Sequence, residues 1–127
     1  MNILKASREE IRIQLRQAMM LDGSDIMVYD HIPARLTPPS VVLEPGEPYM
    51  TQGSTFDMFN VSFQLLLLVG VAQNKNETDA LDELICSVVD AVETWYIDNV
   101  EPPSAYEING NQYLGTRIAL TADKKLI

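Results

Sequence analysis

Residues 56–69 constrain this chain more than any other segment. Phe59, Val61, Phe63, Leu65, Leu67 and Val69 alternate with Met58, Asn60, Ser62, Gln64, Leu66 and Leu68, and a period of two marks a β-strand with one face on a core. The second face changes from polar to apolar at Leu66. Such a strand is half exposed at one end and covered at the other, by a helix or a neighbouring subunit, so it is expected to be central. Its densest apolar stretch, Leu65–Val69 with Val71 and Ala72 beyond Gly70, is far short of the ~20 residues that span a bilayer. No membrane segment is expected. The 127 residues predict a single domain, 1–127, able to bury roughly two-thirds of its unfolded surface without staples.

Helices are predicted on either side of this strand. Ser7-Arg8-Glu9-Glu10 fits a capping box, and Ile11, Leu15, Ala18 and Met19 follow at helical spacing with Leu4 in phase before them. This helix should end near Leu21, ahead of Asp22-Gly23-Ser24-Asp25. A second helix is predicted from Asn74–Asn76 to about Asn99, with Leu81, Leu84, Ile85, Val88, Val89, Val92 and Trp95 or Tyr96 facing inward and Asp79, Asp82, Glu83, Asp90 and Glu93 outward. Ile26–Asp30 and Ser40–Leu43 read as short strands, the latter stopped by Glu44-Pro45-Gly46-Glu47-Pro48. A mobile polar loop is expected at 45–55, ordered by a partner. A hairpin through Ala105–Ile108, Asn109-Gly110-Asn111 and Tyr113–Thr121 closes the domain, with a short C-terminal tail at 122–127. The expected fold is α+β: a mostly antiparallel sheet of about five strands with two helices packed on it, in the order α-β-β-β-α-β-β.

Composition restricts the chemistry. Nine basic residues against eighteen acidic give a net charge of −9, too acidic for a general nucleic-acid binder. One cysteine and one histidine leave no disulfide framework, multi-Cys zinc site or HExxH pair. Met1–Ala6 is not followed by the apolar core and cleavage site of a secretory signal, so a soluble protein of a reducing compartment is expected. His31 lacks an orienting partner in the sequence. Cys86 has the acidic neighbours Asp82, Glu83 and Asp90, which disfavour a thiolate. Asp22-Gly23-Ser24-Asp25 lacks the alternating oxygens of a calcium loop, and Gly110–Thr116 lacks the lysine of a phosphate loop. No catalytic, cofactor or metal residue is therefore assigned.

The charge is unevenly placed. The first sixteen residues hold four basic and two acidic groups, and Arg8, Arg12 and Arg16 recur every four residues beside the apolar stripe of the first helix. A basic row on an acidic body makes two complementary surfaces. Copies meeting head to tail through them form a ring where the rotation closes.

The chain resembles the tail terminator (tail completion) proteins of long-tailed bacteriophages. The resemblance lies in the N-terminal amphipathic helix, the segment Pro38-Pro39-Ser40-Val41-Val42-Leu43-Glu44-Pro45, the polar loop, the long strand around Phe59–Val69, the helix carrying Leu81-Asp82-Glu83-Leu84, and the hairpin with Tyr113-Leu114-Gly115. It covers nearly the whole chain through its architecture, without a diagnostic motif. It implies a non-enzymatic virion protein, assembled in the host cytoplasm, that forms a hexameric ring on the head-proximal end of the tail tube. Such a ring stops tube polymerisation and offers an attachment surface to the head or neck connector. The expected partners are then further copies of the chain, the tail tube protein, and a head or neck connector protein. Arg8, Arg12 and Arg16 are candidates for subunit contact, and Glu47, Tyr49, Met50, Gln52 and Phe56 for contact with tube or head. An acidic lumen would let DNA pass without retention. A neck or head-closure adaptor is the alternative; a small enzyme or ligand-binding domain is a third reading without legible machinery.

Overall fold

The computed structural model describes residues 2–21, 26–70 and 75–125. Helix α1 runs from Ile3 to Leu21. Its cap is Asn2, whose Oδ1 accepts from the Lys5 amide at 3.0 Å, which corrects the capping box expected at Ser7. The reason is the apolar stripe, which starts earlier: Ile3, Ser7, Ile11 and Leu15 are all buried, at intervals of one turn. Ser7 is a small side chain inside that stripe, and Glu10 turns to Lys124 and Thr94 instead of back to a cap. The helix ends at Leu21 as expected; the Asp22–Asp25 turn lies outside the described residues.

Strand β1 (Met27–Tyr29) pairs in parallel with the start of β2 (Ser40–Gln52), and β2 pairs antiparallel with β3 (Met58–Leu68). Helix α2 spans Lys75–Ala91, and the cap expected at Asn74 is not among the described residues. Then come β4 (Tyr96–Val100), β5 (Ser104–Ile108) and β6 (Asn111–Lys125). β6 pairs along its length with β3, from Lys125 opposite Met58 to Gly115 opposite Leu68. Its other edge is shared end to end by β4 and β5. They act as one strand interrupted at Pro102-Pro103, where the Glu101 amide donates to the Arg117 carbonyl and the Thr116 hydroxyl to the Glu101 carbonyl. The sheet is therefore mostly antiparallel, with β1 parallel and six strands in the path β1-β2-β3-β6-β4 with β5 beside β6. The α+β class and the two helices hold.

Three boundaries move. The second helix stops at Ala91, well before Asn99, because Trp95 turns under α1 and the β-favouring run Tyr96–Val100 covers an edge of β6 that would otherwise be unpaired. The loop expected at 45–55 is strand as far as Gln52. A strand as long as β3 needs a partner for its backbone, and β2 supplies it through a register shift between Pro45 and Met50. Gly46 permits the close approach there, since a Cβ on it would lie 2.6 Å from that of Ser62. Prolines are admissible because β1 covers only Ser40–Val42, leaving the rest of β2 an edge among the described residues. The expected tail at 122–127 is also strand through Lys125, with residues 126–127 outside the described set.

Both helices pack on one sheet face, over Val41, Leu43, Val61, Phe63, Leu65, Leu67, Ile118 and Leu120. From α2 come Leu81, Leu84 and Val88, with Val92 just beyond its end. The other face has a smaller core of Val42, Leu66, Leu68, Ile108 and Tyr113. Tyr29, Leu36 and Tyr106 pack against it. The apolar switch at Leu66 is thus closed by the chain's own hairpin, not by a helix or a second subunit. The hairpin turn places Asn109 at φ 53° and Gly110 at φ 83°, the left-handed pair a two-residue turn needs, and Asn109 Nδ2 donates to the Pro33 carbonyl at 2.9 Å.

Candidate assembly surfaces

The arginine row is not uniform. Arg8 is half-buried, and its guanidinium donates to the Tyr49 hydroxyl at 2.9 Å. Arg12 lies 3.4 Å from Glu9. Arg16 is exposed, and among the described residues neither it nor Arg8 has a carboxylate within ion-pair distance. The row therefore offers Arg16 and part of Arg12 to the outside, while Arg8 braces the fold.

The five residues expected to contact tube or head also separate. Tyr49 faces the core, edge-on to Phe63 with ring centroids 5.5 Å apart, and Phe63 stands edge-on to Trp95 at 5.7 Å. Aromatic pairs in this geometry add about 1 kcal/mol beyond their area burial. Lys124 lies over the Trp95 ring at 5.0 Å and donates to Glu10 at 2.6 Å, fixing α1 to the end of β6. Gln52 is also engaged, its amide donating to the carbonyls of Thr55 at 3.0 Å and Phe56 at 3.3 Å. Glu47 and Met50 point outward, and Phe56 is 98% exposed.

Phe56 sits at the tip of the β2–β3 hairpin on a braced turn. The Gly53 amide donates to the Met58 carbonyl at 2.8 Å, and the Met58 amide to the Thr55 carbonyl at 3.2 Å. The Thr55 hydroxyl donates to Asp57 at 2.8 Å and Lys125 lies 3.6 Å from the same carboxylate. That hydroxyl, then the local backbone and Lys125, hold the Asp57 carboxyl below the usual aspartate range. Leaving a phenylalanine in water on such a turn forgoes about 2 kcal/mol of burial.

At the opposite end of the sheet, a cleft of about 440 Å³ opens between α2 and the start of β2, lined by Ile26, Pro39, Val69, Ala80, Leu84 and Ser87 with Glu83 at its mouth. Asp79, Asp82, Glu83 and Asp90 are exposed along the outer side of α2, as the sequence predicts. Cys86 is exposed among them. His31 Nδ1 lies 2.7 Å from Asp30 Oδ1 on the surface, a contact that lowers the Asp30 pKa. Among the described residues, no group of three His, Cys, Asp or Glu side chains could hold a metal ion, and no helix is long and apolar enough to cross a membrane.

Two features escape a reading by sequence alone. Lys124 and Lys125 look like a tail, although the alternation Leu120, Ala122, Lys124 continues the inward face of β6 and signals their strand. On the helix-free sheet face, Arg117 donates to Glu44 at 3.3 Å and lies over the Tyr106 ring at 5.0 Å. These residues are 73 positions apart, so only the strand register reveals them. No protein-family model matches this chain, and no curated protein matches it at a significant level.

Proposed function

We propose that this chain is a non-enzymatic virion assembly protein. In this reading it forms a ring, hexameric as in the tail terminators it resembles, at the head-proximal end of a phage tail tube, stops tube growth and offers the surface to which the head or neck connector attaches. The observation that carries the reading is Phe56, a fully exposed aromatic ring on a hydrogen-bonded turn, in a chain whose basic helix and acidic helix offer complementary charge. Subunit contact falls to Arg12 and Arg16, with Arg8 holding the hairpin in place behind them. Contact with tube or head falls to the outward positions Glu47, Met50 and Phe56. No cofactor is required, and an acidic lumen would repel DNA phosphates during passage.

Mass photometry of the purified chain at increasing concentration tests the ring. A discrete species of about six subunits, dissociating as salt is raised, is expected from charge-guided assembly. A monomer at every concentration and salt speaks against it. Binding to filled heads with no effect on tube ends would reassign the protein to the neck.

A further inference from the structure

We propose that Asn109 is a deamidation site whose side-chain amide clasps the segment 30–37 to the β5–β6 hairpin, so that loss of the amide opens that segment irreversibly. Residues 30–37 link β1 to β2 and carry neither helix nor strand. They form a strap: Leu36, with Tyr29 just ahead of it, packs against the small core of Val42, Leu66, Leu68, Ile108 and Tyr113. Asn109 holds the strap from across the sheet face. Its Nδ2 donates to the Pro33 carbonyl at 2.9 Å and to the Ala34 carbonyl at 3.2 Å, 76 and 75 positions away. The strand leading into the strap has a ladder of only three pairs, so backbone pairing adds little to this hold.

Asn109-Gly110 is the one Asn-Gly pair in the sequence. Glycine has no Cβ to shield its backbone nitrogen from the preceding side chain, and even a Cβ on Gly110 would meet nothing within 4 Å. Both residues are exposed, so water and base reach them. The Gly110 nitrogen gives its proton to base and attacks Asn109 Cγ; the Cγ–Nδ2 bond breaks and ammonia leaves, closing a cyclic imide. Water then opens the imide at either carbonyl, giving aspartate or isoaspartate. One water is consumed and one ammonia released, with no oxidant or reductant.

The fold restrains the first step and makes the last one permanent. The turn fixes Asn109 at φ 53° and Gly110 at φ 83°, while two strap carbonyls hold the amide that has to leave. Ring closure swings the side chain back over its own peptide, so both bonds break first. Local opening of the strap therefore gates the reaction. Afterwards the donor is gone. An aspartate at 109 only accepts and faces two carbonyl oxygens, and isoaspartate adds a backbone carbon to a two-residue turn that needs the left-handed pair. The strap cannot be clasped again, and apolar surface over Val42, Leu66 and Leu68 is uncovered.

The test holds the full chain at mildly alkaline pH in native buffer and in guanidinium chloride, with peptide mapping by mass spectrometry following amide-to-acid conversion at residue 109. Leu36→Ala, which loosens the strap without touching the turn, is run beside it. Trypsin cleavage after Arg35, an exposed strap residue, reports opening. Conversion should be at least about tenfold slower in native buffer than in denaturant, the protection that two hydrogen bonds of ordinary strength give. It should be faster in folded Leu36→Ala than in the unsubstituted chain. The aged chain and Asn109→Asp should both be cut at Arg35 more quickly than fresh protein, with circular dichroism showing the sheet retained. No conversion at residue 109 even in denaturant overturns the site. Equal conversion in native buffer and denaturant, or in folded Leu36→Ala and the unsubstituted chain, overturns the gate. An aged chain and Asn109→Asp that resist trypsin at Arg35 as fresh protein does overturn the clasp.

Discussion

Arg8 on helix α1 and Tyr49 on strand β2 are joined by a 2.9 Å hydrogen bond from guanidinium to hydroxyl, across 41 residues of sequence. The bond ties the first helix to the segment of β2 within the register shift between Pro45 and Met50. The hydroxyl belongs to the outermost ring of the Tyr49–Phe63–Trp95 string, so a surface cation is anchored to the centre of the core through one phenol.

Tyr49→Phe removes the acceptor and keeps the ring. A part-buried hydrogen bond of this kind contributes about 1 kcal/mol, so the midpoint of thermal unfolding should fall by about 4 °C for a domain of this size. Arg8→Met should cost a similar amount, and the double variant little more than either single one. Calorimetry on the four proteins measures the coupling; fully additive losses would mean that the bond contributes nothing.

Phe56 and Phe63 are seven residues apart and should behave oppositely. Phe63 is 1% exposed and packed between two aromatic rings, so Phe63→Ala should cost about 4 kcal/mol in denaturant unfolding. Phe56→Ala should change stability by less than about 0.5 kcal/mol. A large loss at Phe56 would show that the ring supports the fold of the isolated chain.

The arginines should divide between folding and assembly. Arg12→Glu with Arg16→Glu should leave the unfolding midpoint nearly unchanged and raise the concentration needed for rings. Arg8→Glu should lower the midpoint even in the monomer, because it removes the guanidinium that donates to the Tyr49 hydroxyl. Midpoints and ring populations measured on the same samples separate these effects; equal loss of assembly with no stability difference among the three would contradict the division.

Acid should loosen the hairpin tip first. The folded Asp57 carboxyl has a pKa below that of the unfolded chain, held there chiefly by the Thr55 hydroxyl. The stabilisation it gives is therefore complete above the ordinary aspartate range and lost as pH falls through the folded value, below about pH 4. The protection of the Gly53 and Met58 amides, taken relative to the intrinsic exchange rate at each pH, should fall there, and Asp57→Asn should show the reduced protection at neutral pH already. Unchanged protection of both amides from neutral pH down to acid would count against the Thr55–Asp57 brace.

The parts legible in the sequence were those set by local pattern. The alternation from Phe59 and the Asn109-Gly110 turn each specify their element within a few residues, as does the inward row Leu81, Leu84, Val88. What sequence pattern could not give was decided by distant partners. Pro45, Gly46 and Pro48 look like the end of a strand, yet the backbone of β3 requires β2 to continue past them. Tyr96–Val100 can extend a helix on periodicity, but an open edge of β6 converts it to strand. Tyr49 reads as a loop aromatic until Phe63 lies beside it. Among the candidate contact residues, Phe56 and Met50 could be recognised as outward, whereas the roles of Arg8, Tyr49 and Gln52 depend on side chains brought together by the register of β2 and β3.

The most direct measurement of the assembly role is electron microscopy of purified phage tail tubes grown from tube subunits with and without this chain. The account predicts a ring-shaped density at one end of each tube and growth that halts once it is bound. Tubes that lengthen freely in excess protein, with bare ends, would contradict it.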